Sequence, residues 1–294
     1  FDSLSVIIFL PLSMTALISI IIPTCRRVPL LNRLLLEITS QVNELDDDLV
    51  DITVSDDDPG YSSFRLKDVF DNVNFIKAQC KGLTWNRHSA AANTSSEWIL
   101  FIDDDCIPLN SWLRAYLSSI ARYPNCFLFC GPVLQDRPKM RMDEEAPHKF
   151  SGTDFVGCNY MIKRSFLKSI GGFNLSFPFY LEDIELQQRV RRANAESRFC
   201  SLAGVIHPWR TIPSIKGKFI EASEYIKLIR FYPEIYVSFK PLPRLKIAIS
   251  STFLFIADLF KYKARGCFRA FRLLLIQYLM VFTLFGLFLG FRKS

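Results

Sequence analysis

Short, largely apolar runs recur along the first 210 residues, and this pattern constrains the fold more than any other feature. Each run spans four to six residues and is bounded by turn-forming residues. Runs of this length and composition are typical of strands covered on both faces, as in a parallel sheet packed between helices. The runs are Leu17–Ile22, Val50–Val54, Val73–Ile76, Trp98–Ile102 and Phe127–Cys130.

Helical patterns separate these runs. The sequence predicts helices over Pro29–Val42, Leu83–Ala92 and Ser111–Arg122. Strands that alternate with helices predict an α/β layered domain with a mostly parallel central sheet. The rest of this domain is predicted to contain an apolar run at Phe155–Ile162, a helix at Lys163–Ser169, a break at Gly171-Gly172, a helix at Glu182–Arg192 and one strand at Ser197–Ile206.

The sequence changes character after Pro208. Residues 211–294 contain 14 Lys and Arg against 4 Asp and Glu, whereas the preceding residues carry a small excess of acid. Ile215–Arg230 is predicted to be a basic amphipathic helix. Basic residues beside apolar segments favour an anionic membrane surface over nucleic acid as the partner, and a solvated basic face is the alternative.

Leu273–Phe291 contains 19 residues without a charge. This length is sufficient for a helix that spans or deeply enters a membrane, and a buried helix in an oligomer is the alternative. The basic stretch Lys261–Arg272 precedes it, which predicts that the α/β domain lies on the cytoplasmic face. The eight cysteines form no CxxC pair, so the sequence predicts no zinc site and favours buried thiols in a reducing compartment.

Two acidic clusters follow predicted strands. Asp103, Asp104 and Asp105 come directly after the run Trp98–Ile102, and Asp56-Asp57-Asp58 follows an earlier run. Ligands of α/β sheets collect at the carboxyl ends of strands, and adjacent carboxylates repel one another unless a cation lies among them. The first cluster therefore predicts a Mg²⁺ or Mn²⁺ site, with a helix-capping turn as the alternative. The second indicates hydrogen bonds to a nucleobase or an ordinary polar turn.

A third group of polar residues occurs later in the chain. Glu182 and Asp183 begin a predicted helix, which indicates either helix capping or a general base. His207 ends a predicted strand, where it has a structural role or binds metal or phosphate. Cations that follow strand ends are candidates for phosphate contacts. They are Arg26, Arg27, Lys81 and Arg87.

These motifs occur in the order found in glycosyltransferase family 2, and residues 16–210 resemble this family of inverting GT-A enzymes. Six motifs carry the resemblance: the opening strand with Ile20-Ile21-Ile22-Pro23-Thr24, the acidic pair Asp56-Asp57, Asn86, the DxD-like Asp103-Asp104-Asp105, an acceptor-side motif in the two segments Gly157-Cys158-Asn159 and Gly171-Gly172-Phe173, and the ED-like Glu182-Asp183. The chain departs from the family at Cys25-Arg26, Trp85, His88 and Asp58-Pro59, so Lys81 or Arg87 is expected to supply phosphate contacts.

The resemblance implies a role for each of these residues. Asp103 and Asp105 would hold Mg²⁺ or Mn²⁺ together with His207, Asp183 would act as the general base, and Glu182 would orient it. The expected substrate-binding residues are Pro23, Thr24, Arg27, Asp56, Asp57, Lys81, Asn86, Arg87, Asp104, Asn159 and Gly172.

The resulting prediction has three domains and one reaction. Residues 1–13 would be an N-terminal extension, 14–210 a Rossmann-like GT-A catalytic domain, and 211–294 a helical segment associated with membrane lipid. The domain would transfer a sugar from a UDP- or GDP-type donor to a glycan or lipid-linked acceptor hydroxyl, in cell-surface glycan or polysaccharide synthesis. Alternatives are a polyprenyl-phosphate sugar transferase and a non-catalytic nucleotide-sugar-binding membrane protein.

Overall fold

The chain divides into two compact units. The computed structural model describes residues 16–45, 49–235 and 241–291, so the expected extension over residues 1–13 lies outside the described residues. One unit, here called the sheet unit, comprises the described chain up to Leu134 together with His148–Pro178 and Glu182–His207. The other, here called the helical unit, comprises Gln135–Pro147, Phe179–Leu181 and the described chain from Pro208 onward. The division predicted from the sequence placed residues 135–147 and 179–181 in the catalytic domain, because they precede residue 211.

A seven-stranded sheet forms the centre of the sheet unit, in the order β10-β6-β9-β4-β1-β2-β3. Its strands are β1 Ile18–Thr24, β2 Val50–Asp56, β3 Val73–Lys77, β4 Trp98–Ile102, β6 Leu128–Cys130, β9 Asn159–Lys163 and β10 Ser197–Phe199. The pairs β1–β2, β2–β3, β1–β4 and β6–β10 are parallel, whereas β9 runs antiparallel to both of its neighbours. The mostly parallel α/β sheet predicted from the sequence is therefore confirmed.

The described residues of this unit form the α-helices α1 Val28–Val42, α2 Leu83–Ala92, α3 Trp112–Arg122, α4 Arg164–Ser169 and α5 Glu182–Arg192, together with a short 3-10 helix at Ser62–Leu66. α1 buries residues at helical spacing, Leu31, Leu34, Leu35 and Ile38. Because side chains alternate along a strand, Ile20 and Ile22 join one apolar cluster while Ile21 joins the other. The sheet thus has a separate apolar core on each face.

The predicted strand Ser197–Ile206 is wrong in its extent. Its first residues form β10 in the large sheet, and its last residues form β11, Val205–His207, in a three-stranded sheet. The other strands of that sheet are β5, Ile107–Pro108, and β7, Val133–Gln135. A turn between β10 and β11 carries the chain from one sheet to the other.

The helical unit contains three long helices: α6 Ile215–Phe231, α7 Pro241–Lys261 and α8 Cys267–Phe291. It also contains an antiparallel pair of short strands, β8 Glu144–Glu145 and β12 Arg210–Thr211. Within the described part of the chain, one helix is long and apolar enough to cross a membrane, over Cys267–Gly286. This is the helix predicted from the charge-free run, extended by six residues at its N-terminal end.

Candidate active site

The carboxyl ends of three parallel strands meet at one edge of the large sheet. β1 ends at Thr24, β2 ends at Asp56 directly opposite it, and β4 leads into Asp103. Parallel pairing places these ends side by side, which explains why polar residues distant in sequence gather here.

Asp104 joins the ends of β4 and β1. Its side chain is buried, and its carboxylate accepts hydrogen bonds from Thr24 Oγ1 at 2.7 Å and from Arg27 Nη1 at 3.0 Å. Burial raises the pKa of Asp104 to about 6, and the Arg27 cation acts in the opposite direction. The structure therefore brings together three of the expected substrate-binding residues, Thr24, Arg27 and Asp104, and Arg27 is the most exposed of the three.

Asp105 and His207 form the part of the site that is best suited to a divalent cation. The antiparallel pairing of β11 with β5 brings His207 beside Asp105, and Nε2 lies 3.7 Å from Asp105 Oδ1. One ligand atom each of Asp105, Cys106 and His207 lies within 4.8 Å of the others. Burial raises the pKa of the Cys106 thiol well above its usual range.

A carboxylate and an imidazole are ligands that suit Mn²⁺ and, for the carboxylate, Mg²⁺. The side chains of Asp105 and His207 are almost fully buried, at 3% and 1% exposed, and a cation between them would offset the cost of burying the carboxylate. The residues present therefore fit the metal that the family resemblance implies. Arg27 Nη1 lies 3.5 Å from the other oxygen of Asp105.

Arg87 connects the acidic cluster of β4 with the start of α5. It lies on α2 and its side chain is 1% exposed. Nη2 donates to Asp103 at 2.6 Å and to the carbonyl of Gly157 at 2.9 Å, while Nη1 donates to Glu182. Burial disfavours its charge, but Asp103 and Glu182 outweigh this and raise the pKa of Arg87. Burial also raises the pKa of Glu182, and the Arg87 cation opposes that rise.

Asp183 lies next to this cluster. Its Oδ2 accepts the backbone N–H of Gly157 at 2.9 Å, and its Oδ1 accepts the N–H of Ile184 at 2.8 Å. A Cβ at position 157 would lie 3.0 Å from Arg87 Nη1 and 3.2 Å from Asp183 Oδ2. The acid at 103 and the candidate base at 183 therefore approach the same guanidinium, and Gly157 provides the close contact between them.

The predicted nucleoside-binding residues lie at the ends of β2 and β3. Asp57 is partly exposed and accepts the N–H groups of Gly82 at 2.8 Å and Lys81 at 3.2 Å. Asp56 is fully buried and accepts the N–H groups of Asp58 and Ser63, so it shapes the turn rather than facing solvent. Of the acidic pair, Asp57 is the residue that a ligand can reach.

Two further predicted residues support this edge of the sheet. Asn86 is buried on α2, where Nδ2 donates to the carbonyls of Ser55 at 2.9 Å and Thr24 at 3.3 Å. Pro23 is buried within β1. Lys81 Nζ lies 4.5 Å above the Trp85 ring, so its ammonium is at the surface near Asp57. Asn86 and Pro23 therefore hold the strand ends in place, whereas Lys81 is available to a phosphate.

Asn159 occupies a position different from that expected of a substrate-binding residue, whereas the predicted role of Gly172 stays a prediction. Asn159 is fully buried; Oδ1 accepts from Trp112 and Tyr116, and Nδ2 donates to the carbonyls of Pro132 and Ala203. Its hydrogen-bonding capacity is fully used within the core. Gly172 adopts a positive φ of 68° in the turn after α4, and its carbonyl accepts from Arg189. Gly157, the first residue of the acceptor-side segment Gly157-Cys158-Asn159, is the glycine that lies against Arg87 and Asp183.

The comparisons with known proteins agree with this geometry. The family model described as glycosyl transferase family 2 matches residues 19–171, which is more than half of the chain. Among solved structures, the mannosyltransferase PcManGT from Pyrobaculum calidifontis, in complex with GDP-Man and Mn²⁺, superposes with a TM-score of 0.55 at 15% identity. That match covers 75% of this chain and 65% of the mannosyltransferase.

Residues 1–349 of TarS from S. aureus match with a TM-score of 0.51 and 15% identity, over 65% of this chain and 60% of that one. The chain thus spans slightly less than two thirds of the solved relatives it matches. No curated protein sequence matches it significantly. The family match, the mostly parallel sheet and the acids at the strand ends lead to one conclusion: the chain belongs to glycosyl transferase family 2, a glycosyltransferase family, and has a GT-A-type fold.

Proposed function

We propose that this protein is a metal-dependent, inverting glycosyltransferase that moves a sugar from a nucleoside diphosphate donor to an acceptor hydroxyl. One arrangement carries the proposal: Arg87 contacts both Asp103 and Glu182, and Asp183 binds the N–H of Gly157 beside that guanidinium. Asp103, the acid expected on the donor side, and Asp183, the carboxylate expected on the acceptor side, thus lie around the same guanidinium.

On the donor side, Asp57 would accept hydrogen bonds from the nucleobase, since it is the more accessible acid of its pair. Arg27 and Lys81 would contact the diphosphate, because both extend from loops at the carboxyl edge of the sheet. The complex of the mannosyltransferase with GDP-Man supports a nucleotide-sugar donor of the UDP or GDP type.

Asp105 and His207 would hold Mg²⁺ or Mn²⁺, with Asp103 nearby and paired with Arg87. A bound divalent cation supplies positive charge that stabilises a departing diphosphate. The Mn²⁺ in the mannosyltransferase complex supports this assignment. Arg87, held between Asp103 and Glu182, would fix the orientation of both acids.

Asp183 would remove the proton from the acceptor hydroxyl as that oxygen attacks the anomeric carbon. Two backbone N–H groups fix its carboxylate, and a positioned base of this kind contributes roughly 10²–10⁴-fold in rate. Attack from the face opposite the leaving diphosphate inverts the configuration at that carbon. Glu182, which is buried against Arg87, would orient the N-terminal end of α5 rather than accept the proton.

The helical unit provides the proposed cellular setting. α8 is long and apolar enough to cross a membrane, and basic residues precede its apolar part. We therefore place the protein at a membrane, with its catalytic unit on the cytoplasmic side, in the synthesis of a cell-surface glycan or polysaccharide on a glycan or lipid-linked acceptor. A polyprenyl-phosphate sugar transferase is the second candidate, and α8 is the observation that favours it.

The direct test is a screen of UDP- and GDP-sugars with Mn²⁺, read as release of nucleoside diphosphate. We expect one donor class to be turned over, and Asp183→Asn to abolish transfer while donor binding is retained. Asp71→Asn is the matched control, because Asp71 is an exposed acid on a turn before β3. Full activity of Asp183→Asn would remove Asp183 from the base role, and no turnover of any donor would favour the non-catalytic alternative.

A further inference from the structure

The helical unit contains a cavity of about 500 Å³ that differs in chemistry from the acidic edge of the sheet. Four cationic side chains line it, together with apolar residues from α8 and from the segment that leads into α6. The cationic residues are Lys216, Lys218, Arg269 and Arg272. None of the groups in the proposed glycosyl transfer lies among its lining residues.

One face of α8 forms a wall of this cavity. Arg269, Arg272, Leu273 and Ile276 all line it, and their spacing of three and four residues places them on the same side of the helix. This face changes from cationic to apolar along the helix. A ligand that follows the wall would therefore meet positive charge first and hydrocarbon next.

The start of α6 adds a further positive contribution to the cavity. Ser214, Ile215 and Lys216 line the cavity at the first turn of α6, where backbone N–H groups and the helix dipole favour an anion. Lys218 is paired with Glu145 at 3.0 Å and Glu221 at 2.9 Å, so its charge is compensated.

The other three cations lack such compensation. Among the residues that the structure describes, no carboxylate lies within ion-pairing distance of Lys216, Arg269 or Arg272. The cavity thus has a net positive charge.

Exposed apolar side chains on α7 and α8 lie in the same unit as the cavity and indicate the kind of surface that surrounds it. Phe268, Leu275 and Phe282 lie seven residues apart, and their exposed fractions are 82%, 53% and 70%. On α7, Phe253 and Phe260 are exposed as well. Exposed apolar stripes of this size are typical of a surface in contact with lipid. If these stripes contact a lipid layer, Arg269 and Arg272 lie at the end of α8 where its apolar part begins, which is a position suited to lipid head groups.

We propose that this cavity binds the phosphate-bearing head group of an anionic membrane lipid, with the first part of a lipid chain packed along Leu273 and Ile276. Arg269, Arg272 and Lys216 contact the phosphate. The site holds the helical unit at an anionic membrane surface, and it does not depend on the identity of the sugar donor. Its tests therefore use no nucleotide sugar, and failure of either proposal leaves the other standing.

The first experiment is flotation of the full chain with vesicles of phosphatidylcholine alone or mixed with phosphatidylglycerol. We expect stronger binding to the anionic vesicles and at least about a tenfold loss in the double variant Arg269→Gln/Arg272→Gln, since each cation near the surface contributes to attraction. The control is Arg230→Gln/Lys246→Gln, which removes the same charge from exposed positions on α6 and α7 outside the cavity. Equal losses in both double variants would overturn the site and leave only diffuse surface charge.

The second experiment distinguishes a lipid from a free anion. Thermal stability of the detergent-solubilised chain is measured with short-chain phosphatidylglycerol and, separately, with inorganic phosphate at the same concentration. We expect the lipid to stabilise the protein, phosphate to have no effect, and Leu273→Ser to reduce the lipid effect, while the control Leu36→Ser, at an exposed leucine on α1 of the sheet unit, retains it. Equal stabilisation by inorganic phosphate, or an undiminished lipid effect in Leu273→Ser, would overturn the proposal.

Discussion

Nη2 of Arg87 donates to Oδ1 of Asp103 at 2.6 Å, so that a helix residue holds the first acid of the cluster that follows β4. The same guanidinium donates to Glu182 at the start of α5. Three segments that are far apart in sequence are thereby fixed by one buried cation. Breaking this arrangement leaves buried charge without a partner, which is costly in a protein interior.

Arg87→Met is expected to lower the free energy of unfolding by about 3–5 kcal/mol, because Glu182 and Asp103 lose their counter-charge. Urea denaturation measures the change. Arg114→Met is the control, since Arg114 pairs with Glu44 at the surface and such pairs contribute less than about 1 kcal/mol. Equal stability of the two variants would contradict a structural role for the Arg87 contacts.

His207→Ala is expected to weaken Mn²⁺ binding at least about tenfold in the absence of any donor, because the imidazole beside Asp105 is lost. Titration followed by electron paramagnetic resonance of free Mn²⁺ measures the affinity directly. His148→Ala serves as the control, since His148 lies against Phe150. Unchanged Mn²⁺ affinity in His207→Ala would remove His207 from the ligand set.

Asn159→Ala is expected to destabilise the fold by at least about 3 kcal/mol, because the Trp112 N–H, the Tyr116 hydroxyl and the Ala203 carbonyl each lose a buried partner and each costs about 1–3 kcal/mol when unsatisfied. The donor KM of the folded fraction should not change. Asn74→Ala removes an exposed asparagine from the edge strand β3 and is the control. A raised KM with unchanged stability would restore Asn159 as a substrate contact.

The ion pair between Arg137 and Glu144 predicts a pH dependence of stability. Hydrogen bonds from Arg137 lower the pKa of Glu144 from 4.5 to about 2, helped by the N–H groups of Met140 and Arg141, while burial acts in the opposite direction. A depressed pKa stabilises the folded state above pH 4.5, and this stabilisation is lost as the pH falls towards 2. The difference in Tm between the wild type and Glu144→Gln should therefore be greatest near neutrality and shrink across that interval. A difference in Tm that does not change with pH would contradict the lowered pKa of Glu144.

The sequence predicted the large sheet well because its strands are covered on both faces. Trp98–Ile102 is fully buried, and its predicted bounds match β4. The prediction of a single strand over Ser197–Ile206 is wrong because its residues belong to two sheets. Between β10 and β11 the main chain at Ala203 packs directly against Gly131, where a Cβ would lie 1.8 Å from the Ala203 carbonyl oxygen. Local periodicity carries no information on such a contact.

The sequence predicted which residue types occupy the candidate site, but it did not predict which of these side chains contact one another. Strand ends rich in carboxylates indicate a site, and Asp103, Asp105 and Asp183 follow from that pattern together with the family resemblance. The pairing of Arg87 with Glu182 joins residues 95 positions apart, and the contact of His207 with Asp105 depends on the register of two short strands. Asn159 was assigned to substrate for the same reason, since a polar residue in a motif does not reveal that its partners are all internal.

The close packing at Gly157 limits which residue types can replace this glycine. The main chain there lies so close to Arg87 and Asp183 that even a methyl group would push the guanidinium or the carboxylate by a few tenths of an ångström. A side chain at position 157 therefore requires the Arg87 guanidinium or the Asp183 carboxylate to move. Variants that test the proposed acceptor side should therefore change the loops around this glycine and leave the glycine itself unchanged.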